Sequence, residues 1–222
     1  MATGARIPMH IDPVLTLAQW LSPAFPVGAF AYSHGLEAAV EAGRVRDGAT
    51  LKDWLATVLW HGAGHNDALL LAAAWHAETR AELDRIDASA RAFAASRERL
   101  LESAQQGRAF CIVTNAIWDG GFADYTYPVA VGAAAAREAL PLPLTQAMYL
   151  HAFLSNLVAA GQRLLPVGQT EGQAMLRRLT ARIPALAEAT AKGDLARLSG
   201  TAFLTDIAAM HHETQTTRIF RT

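Results

Sequence analysis

Thr50-Leu51-Lys52-Asp53-Trp54-Leu55-Ala56-Thr57-Val58-Leu59-Trp60-His61 decides the fold class. Leu51, Trp54, Leu55, Val58 and Leu59 recur at i, i+3, i+4, i+7 and i+8, which gathers them on one face of a helix, whereas a strand would divide them between its two faces. Thr50 just ahead, with Asp53 three residues on, reads as a capping box in which aspartate replaces glutamate.

The same period extends outward in both directions. Upstream, Asp12-Pro13 offers an N-cap followed by proline at the first helical position, and Val14, Leu17, Ala18 and Leu21 then share a face. Two prolines and a glycine in Ser22-Pro23-Ala24-Phe25-Pro26-Val27-Gly28 interrupt that helix. Ser33 is placed to cap a short second helix ending at Gly43. Downstream, Asn66 is the expected cap of a helix over 69–79, and Thr79-Arg80-Ala81-Glu82 is a fuller capping box for the next. A long helix is predicted over about 89–119, stopped by Gly120-Gly121. Pro128 opens a helix to Leu140, and Leu144 to Leu165, apolar on most sides, is the expected central helix. Two more follow, over about 171–192 with a break at Pro184, and over 194–216. No run alternates with period 2 for more than four or five residues. The prediction is an all-α, single-domain bundle of about nine to ten helices spanning 1–222, with flexible ends at about 1–11 and 217–222.

Composition narrows the function classes. Nineteen basic against twenty acidic residues leave a net charge of −1, and Arg177, Arg178 and Arg182 are the nearest thing to a basic footprint, so nucleic acid is not an expected partner. Only 18% of residues are charged and 52% are hydrophobic, against about 25% charged on average, which hints at apolar surface covered by partners. Cys111 is the single cysteine, which excludes an intramolecular disulfide and Cys-rich zinc spacings. Met1 to Pro13 has one arginine and no apolar core of a secretory signal, and no stretch approaches a membrane span. The expected location is the cytoplasm, with no membrane association.

Motifs for chemistry are sparse. The phosphate-cradling G-x-x-x-x-G-K-[ST] and G-x-G-x-x-G are missing, as are G-x-S-x-G and H-E-x-x-H. His61 and His65 are four apart, a spacing that can put two imidazoles on one helical face, but Gly62 and Gly64 between them point to a helix end. A small all-α metalloenzyme using His61, His65 and Asp67 is the alternative reading. Phe25 and Phe30 lie in a loop stiffened by Pro23 and Pro26, which suits either a docking element that loses little entropy on binding or a cap on the core.

Three segments in register carry a resemblance. The first runs from Leu17 to Glu37 through Ser22-Pro23-Ala24-Phe25-Pro26-Val27-Gly28-Ala29-Phe30-Ala31-Tyr32-Ser33-His34-Gly35-Leu36-Glu37. The second joins Pro128-Val129-Ala130-Val131-Gly132 to Gln162-Arg163-Leu164-Leu165-Pro166-Val167-Gly168-Gln169-Thr170-Glu171-Gly172-Gln173. The third is Asp206-Ile207-Ala208-Ala209-Met210-His211-His212-Glu213-Thr214-Gln215 with Thr217-Arg218-Ile219-Phe220. Together they resemble the UreF family over nearly the whole chain. Val167, Thr217 and Ile219 depart from its usual leucine, serine and leucine without removing a chemical group.

The resemblance implies an all-α urease accessory protein that is not an enzyme and uses no cofactor or metal of its own. It implies binding to a UreD-type accessory protein and a UreG-type GTPase, delivery of Ni²⁺ to apo-urease, possible regulation of the GTPase, and a homodimer. The residues expected to bind partners are Phe25, Phe30, Tyr32, Glu37, His212, Glu213, Arg218 and Phe220. After Thr216 no capping signal or helical period continues, so the tail from His212 to Thr222 is expected to order on binding around Arg218. Its alternative is that Ile219 and Phe220 fold back on the chain's own core.

Overall fold

The structure, a computed structural model, describes residues 12–221. The expectation for 1–11 lies outside the described residues, as does the last residue of the expected flexible end. Asp12 accepts a hydrogen bond from the Val14 amide at 2.7 Å and Pro13 follows, which starts α1 (Pro13–Trp20) as predicted. A 3-10 turn at Ala29–Ala31 leads to α2 (Leu36–Glu41), which starts at Gly35 and not at Ser33. Gly35 has φ +72° and lies against α11 (Phe203–His212), where a Cβ would come within 2.5 Å of the Ala209 nitrogen. Only glycine tolerates both conditions.

The opening segment forms α3 (Gly48–His61), and its five apolar residues are all buried. Its cap is Asp47, one turn ahead of Thr50. Asp47 accepts from the Thr50 amide at 2.8 Å, and the Thr50 hydroxyl accepts from the Asp47 amide at 3.1 Å, so the box is formed with the roles moved by three residues. Next, α4 (Ala63–His76) starts before Asn66, whose side chain instead brackets Ser199, donating to its carbonyl at 2.8 Å and accepting from its amide at 3.1 Å. The Thr79–Glu82 capping box opens α5 (Arg80–Ala92) as read. The long helix expected from 89 is two pieces. α5 ends at Ala92, and α6 (Arg97–Trp118) restarts where Ser96 accepts from the Arg99 amide at 3.0 Å.

The most enclosed helix is α7 (Tyr127–Arg137), buried at every position from Pro128 to Ala135. The longest, α8 (Leu142–Leu164), leaves His151 and Arg163 exposed. Hydrophobicity alone places α8 at the centre. Centrality here follows small size: a Cβ on Gly132 would come within 2.3 Å of the Leu71 carbonyl oxygen, so α7 and α4 pack backbone to backbone. The segment at 171–192 becomes α9 (Gln169–Thr180) and α10 (Ile183–Thr190), with Pro184 in the first turn of α10. Asp194 caps only a 3-10 turn at Leu195–Arg197, whose Arg197 donates to the Ala189 carbonyl, and α11 is shorter than expected. The described residues thus form an all-α bundle of eleven α-helices without strands, the predicted fold class with its kinked segment split in two.

Candidate functional site

The unusual feature of this bundle is charge inside it. Glu102 and Gln106, one helical turn apart on α6, share a face with Phe110 and Thr114, and all four are buried. Glu102 pairs with His34 at 2.8 Å and with Arg99 at 3.2 Å, while Gln106 donates to it at 3.0 Å. Arg99 reaches on to Asp67 of α4 at 2.9 Å, and the Tyr149 hydroxyl of α8 donates to the same carboxylate oxygen at 2.9 Å. Burial pushes the Asp67 carboxyl above its ordinary range, against the pull of Arg99 and Tyr149. Burial also opposes the charge on Arg99, but Glu102 and Asp67 outweigh it and hold the guanidinium protonated. Burial, then Asp67, carries the Tyr149 phenol well above its usual value. His34, Asp67, Arg99 and Tyr149 line a cavity of about 280 Å³ beside this network.

A second cluster lies at the same end of α2, where Glu37 sits in its first turn. Buried His212 of α11 sits between two carboxylates, with Nδ1 2.6 Å from Glu98 and Nε2 3.3 Å from Glu37. Both carboxylates also hold the C-terminal segment. Glu37 accepts from the amides of Ile219 at 2.7 Å and Phe220 at 2.9 Å, and Arg218 donates to Glu98 at 2.5 Å. Neighbouring Glu213 accepts from the Arg97 amide at 2.7 Å, tying α11 to the start of α6.

These contacts correct two expectations. In the structure the tail is docked on the bundle: Phe220 is 4% exposed in the core, while Ile219, 67% exposed, is left outside. The fold-back alternative holds for Phe220 alone, because Glu37 supplies the anchor that a local reading cannot see. Phe25 is likewise a core residue, packed on Phe110 with ring centroids 5.5 Å apart, and not a face of the docking loop. Phe30, in the same loop, is 63% exposed. Tyr32 is buried and donates to Gln105 at 2.8 Å, and burial raises its phenol, helped by Glu102.

Loop and tail are stitched into one surface. Arg163, near the end of α8, donates to the Phe30 carbonyl at 3.2 Å, and its guanidinium lies 5.4 Å over the Phe220 ring. The Arg221 amide donates to the Ala31 carbonyl at 2.8 Å. A shallow groove results, with Phe30, Ile219, Arg163 and Arg221 around it. Of the eight suggested residues, Phe30, Tyr32, Arg218 and Phe220 border or brace this surface, Glu37 and His212 anchor it from inside, Glu213 braces α6, and Phe25 lies in the core beneath.

His61 and His65 do not share a helical face, since α3 ends at His61 and α4 begins after Gly62. His65 approaches Asn66 at 3.4 Å, and burial pushes its imidazole pKa down. Asp67, the third member of the alternative site, is committed to Arg99 and Tyr149. Among the described residues no three His, Cys, Asp or Glu side chains converge as a metal site. His34, Arg99, Glu102, Gln106 and Tyr149 escaped sequence reading. The available signal was polar residues at four-residue spacing on the same face of α6 as Phe110.

Engaged carboxylates, an imidazole wedged between two of them and a groove stitched from loop and tail distinguish this helical bundle. No helix of the described residues is long and apolar enough to cross a membrane. Residues 45–180 match the UreF family. The chain is 54% identical over 209 residues to the urease accessory protein UreF of Ruegeria pomeroyi, covering 94% of this chain and 96% of that protein. It is 56% identical over 213 residues to the protein of that name from Ruegeria sp. strain TM1040, covering 96% and 100%, respectively. The like-named protein of Roseobacter denitrificans is 50% identical over 218 residues, covering 98% of each. The chain belongs to the UreF family.

Proposed function

We propose that this chain is a cytoplasmic urease accessory protein that acts by binding and not by catalysis. It bridges a UreD-type accessory protein and a UreG-type GTPase, so that nickel is inserted into apo-urease. The family membership supports the accessory role, and the observation that supports the bridging role is the exposed Phe30–Ile219 pair. Two large apolar side chains are held out of the core by a braced backbone, so covering them loses little conformational entropy. Arg163 and Arg221 beside them suit a partner that adds carboxylates to an apolar contact.

More apolar surface lies elsewhere. Phe203, Leu204, Ile207 and Met210 are exposed along α11, and Leu101, Ile112 and Ile117 along α6. Separate faces of this kind serve a scaffold with several neighbours, including a second copy of itself. Influence on a GTPase follows from linkage, through preferential binding to one of its nucleotide states.

The test is reconstitution. Tagged full-length chain should retain both partners together, and apo-urease given the complex, nickel and GTP should gain metal and activity. Failure to retain either partner, or equal metal gain without this chain, contradicts the proposal.

A further inference from the structure

His212 presents an arithmetic problem that neutral imidazole between two ionised carboxylates cannot solve. Its two ring nitrogens both face carboxylate oxygens, Glu98 at 2.6 Å and Glu37 at 3.3 Å, and the ring has no exposure to water. A neutral ring carries one N–H, so one nitrogen would turn a lone pair toward a carboxylate. The imidazolium donates to both. The same two carboxylates receive the tail, Glu37 through the amides of Ile219 and Phe220 and Glu98 through Arg218.

We propose that His212 is a proton-operated clasp for the C-terminal segment: with the ring doubly protonated, Glu37 and Glu98 are held together and the tail is docked, and loss of that proton releases it. The inference concerns the chain's own tail and does not depend on the proposed partners.

The surroundings favour this response. Glu37 faces the ring from α2 and Glu98 from α6. Arg218 of the tail faces Glu98, on the carboxylate oxygen not used by His212. On α11 itself Glu213 turns to the Arg97 amide, and His211 is exposed. Packing from α3 comes through Gly62 against Ala202, and His61 at the end of α3 is exposed. His34, ahead of α2, is committed to Glu102. Arg218 is therefore the only cation joined to the pair besides the imidazolium among these groups. Without the ring's second proton, two carboxylates face each other across an acceptor with one guanidinium to offset them. The cost falls on Glu37, whose two amide contacts fix Phe220 in the core.

The experiment follows the amides of Ile219 and Phe220 in ¹⁵N-labelled full-length protein, with exchange corrected for the intrinsic rate at each pH. Protection should fall about tenfold or more as the pH is raised through the point at which the His212 ring signals of the same sample show loss of the second proton. His212→Gln supplies one donor and one acceptor and does not titrate. Its amides should be poorly protected at every pH, as in the wild type at the alkaline end. Wild-type protection that stays level, or a His212→Gln protein that keeps the wild-type response, overturns the proposal. If that variant does not fold, the His212 ring signals of the wild type decide: their titration midpoint must coincide with that of the two amides, and a separate midpoint overturns the clasp.

Discussion

Arg99 donates to Asp67 at 2.9 Å and to Glu102 at 3.2 Å, and both acceptors are buried. Removing the guanidinium strands two carboxylates in the core, whereas the pair itself adds little net stability over an apolar replacement of both partners. Arg99→Met should therefore lower the unfolding free energy by about 3–5 kcal/mol, read by urea denaturation at neutral pH. The deficit should shrink on acidification. Burial makes Asp67 take up its proton more readily folded than unfolded. A carboxyl of that kind favours folding at low pH, and its contribution is lost as the pH rises through the folded-state value. Without Arg99 the displacement grows, so variant and wild type should converge as the pH falls. None of this was legible from residue types: Asp67 suggested a metal ligand because its partners, Arg99 and Tyr149, are 32 and 82 residues away.

Helices were legible where an apolar face and a cap coincide. Asp47 and Thr50 both qualify as caps, and the structure uses them reciprocally, with Asp47 at the cap and Thr50 inside the first turn. Asp47→Ala should cost about 1 kcal/mol by thermal or urea denaturation. A smaller loss than that of Thr50→Ala would restore Thr50 as the principal cap. The break between α5 and α6 was hidden because Ala90, Ala92, Ala94 and Ala95 are good helix formers, so propensity runs straight through it. What stops α5 is tertiary: Asp87, which α5 carries, accepts from the Thr126 amide at 2.6 Å, and Arg91 reaches the Asp124 carbonyl at 3.0 Å, fixing α5 on the loop before α7.

At the scale of the whole molecule, periodicity and punctuation were enough for an all-α bundle, since most of its helices keep their polar faces in water. The candidate surface was not readable, because Glu37 meets the Ile219 amide across 182 positions and no local pattern encodes that contact. The anchored tail changes what truncation should do. Deleting residues 217–222 removes buried Phe220 and two donors from Glu37, so the melting temperature should fall by roughly 3–12 °C. An unchanged melting temperature would mean that the tail is loose after all. Truncation consequently cannot separate docking from folding, but exposed side chains can. The decisive measurement is urease activation by a Phe30→Ala, Ile219→Ala double variant, with its melting temperature recorded alongside. If the stitched groove is where this accessory protein meets its partners, the variant should melt within about 2 °C of the wild type, because both side chains are exposed, yet lose partner retention and most activation. Full activation by the equally stable variant would contradict the account.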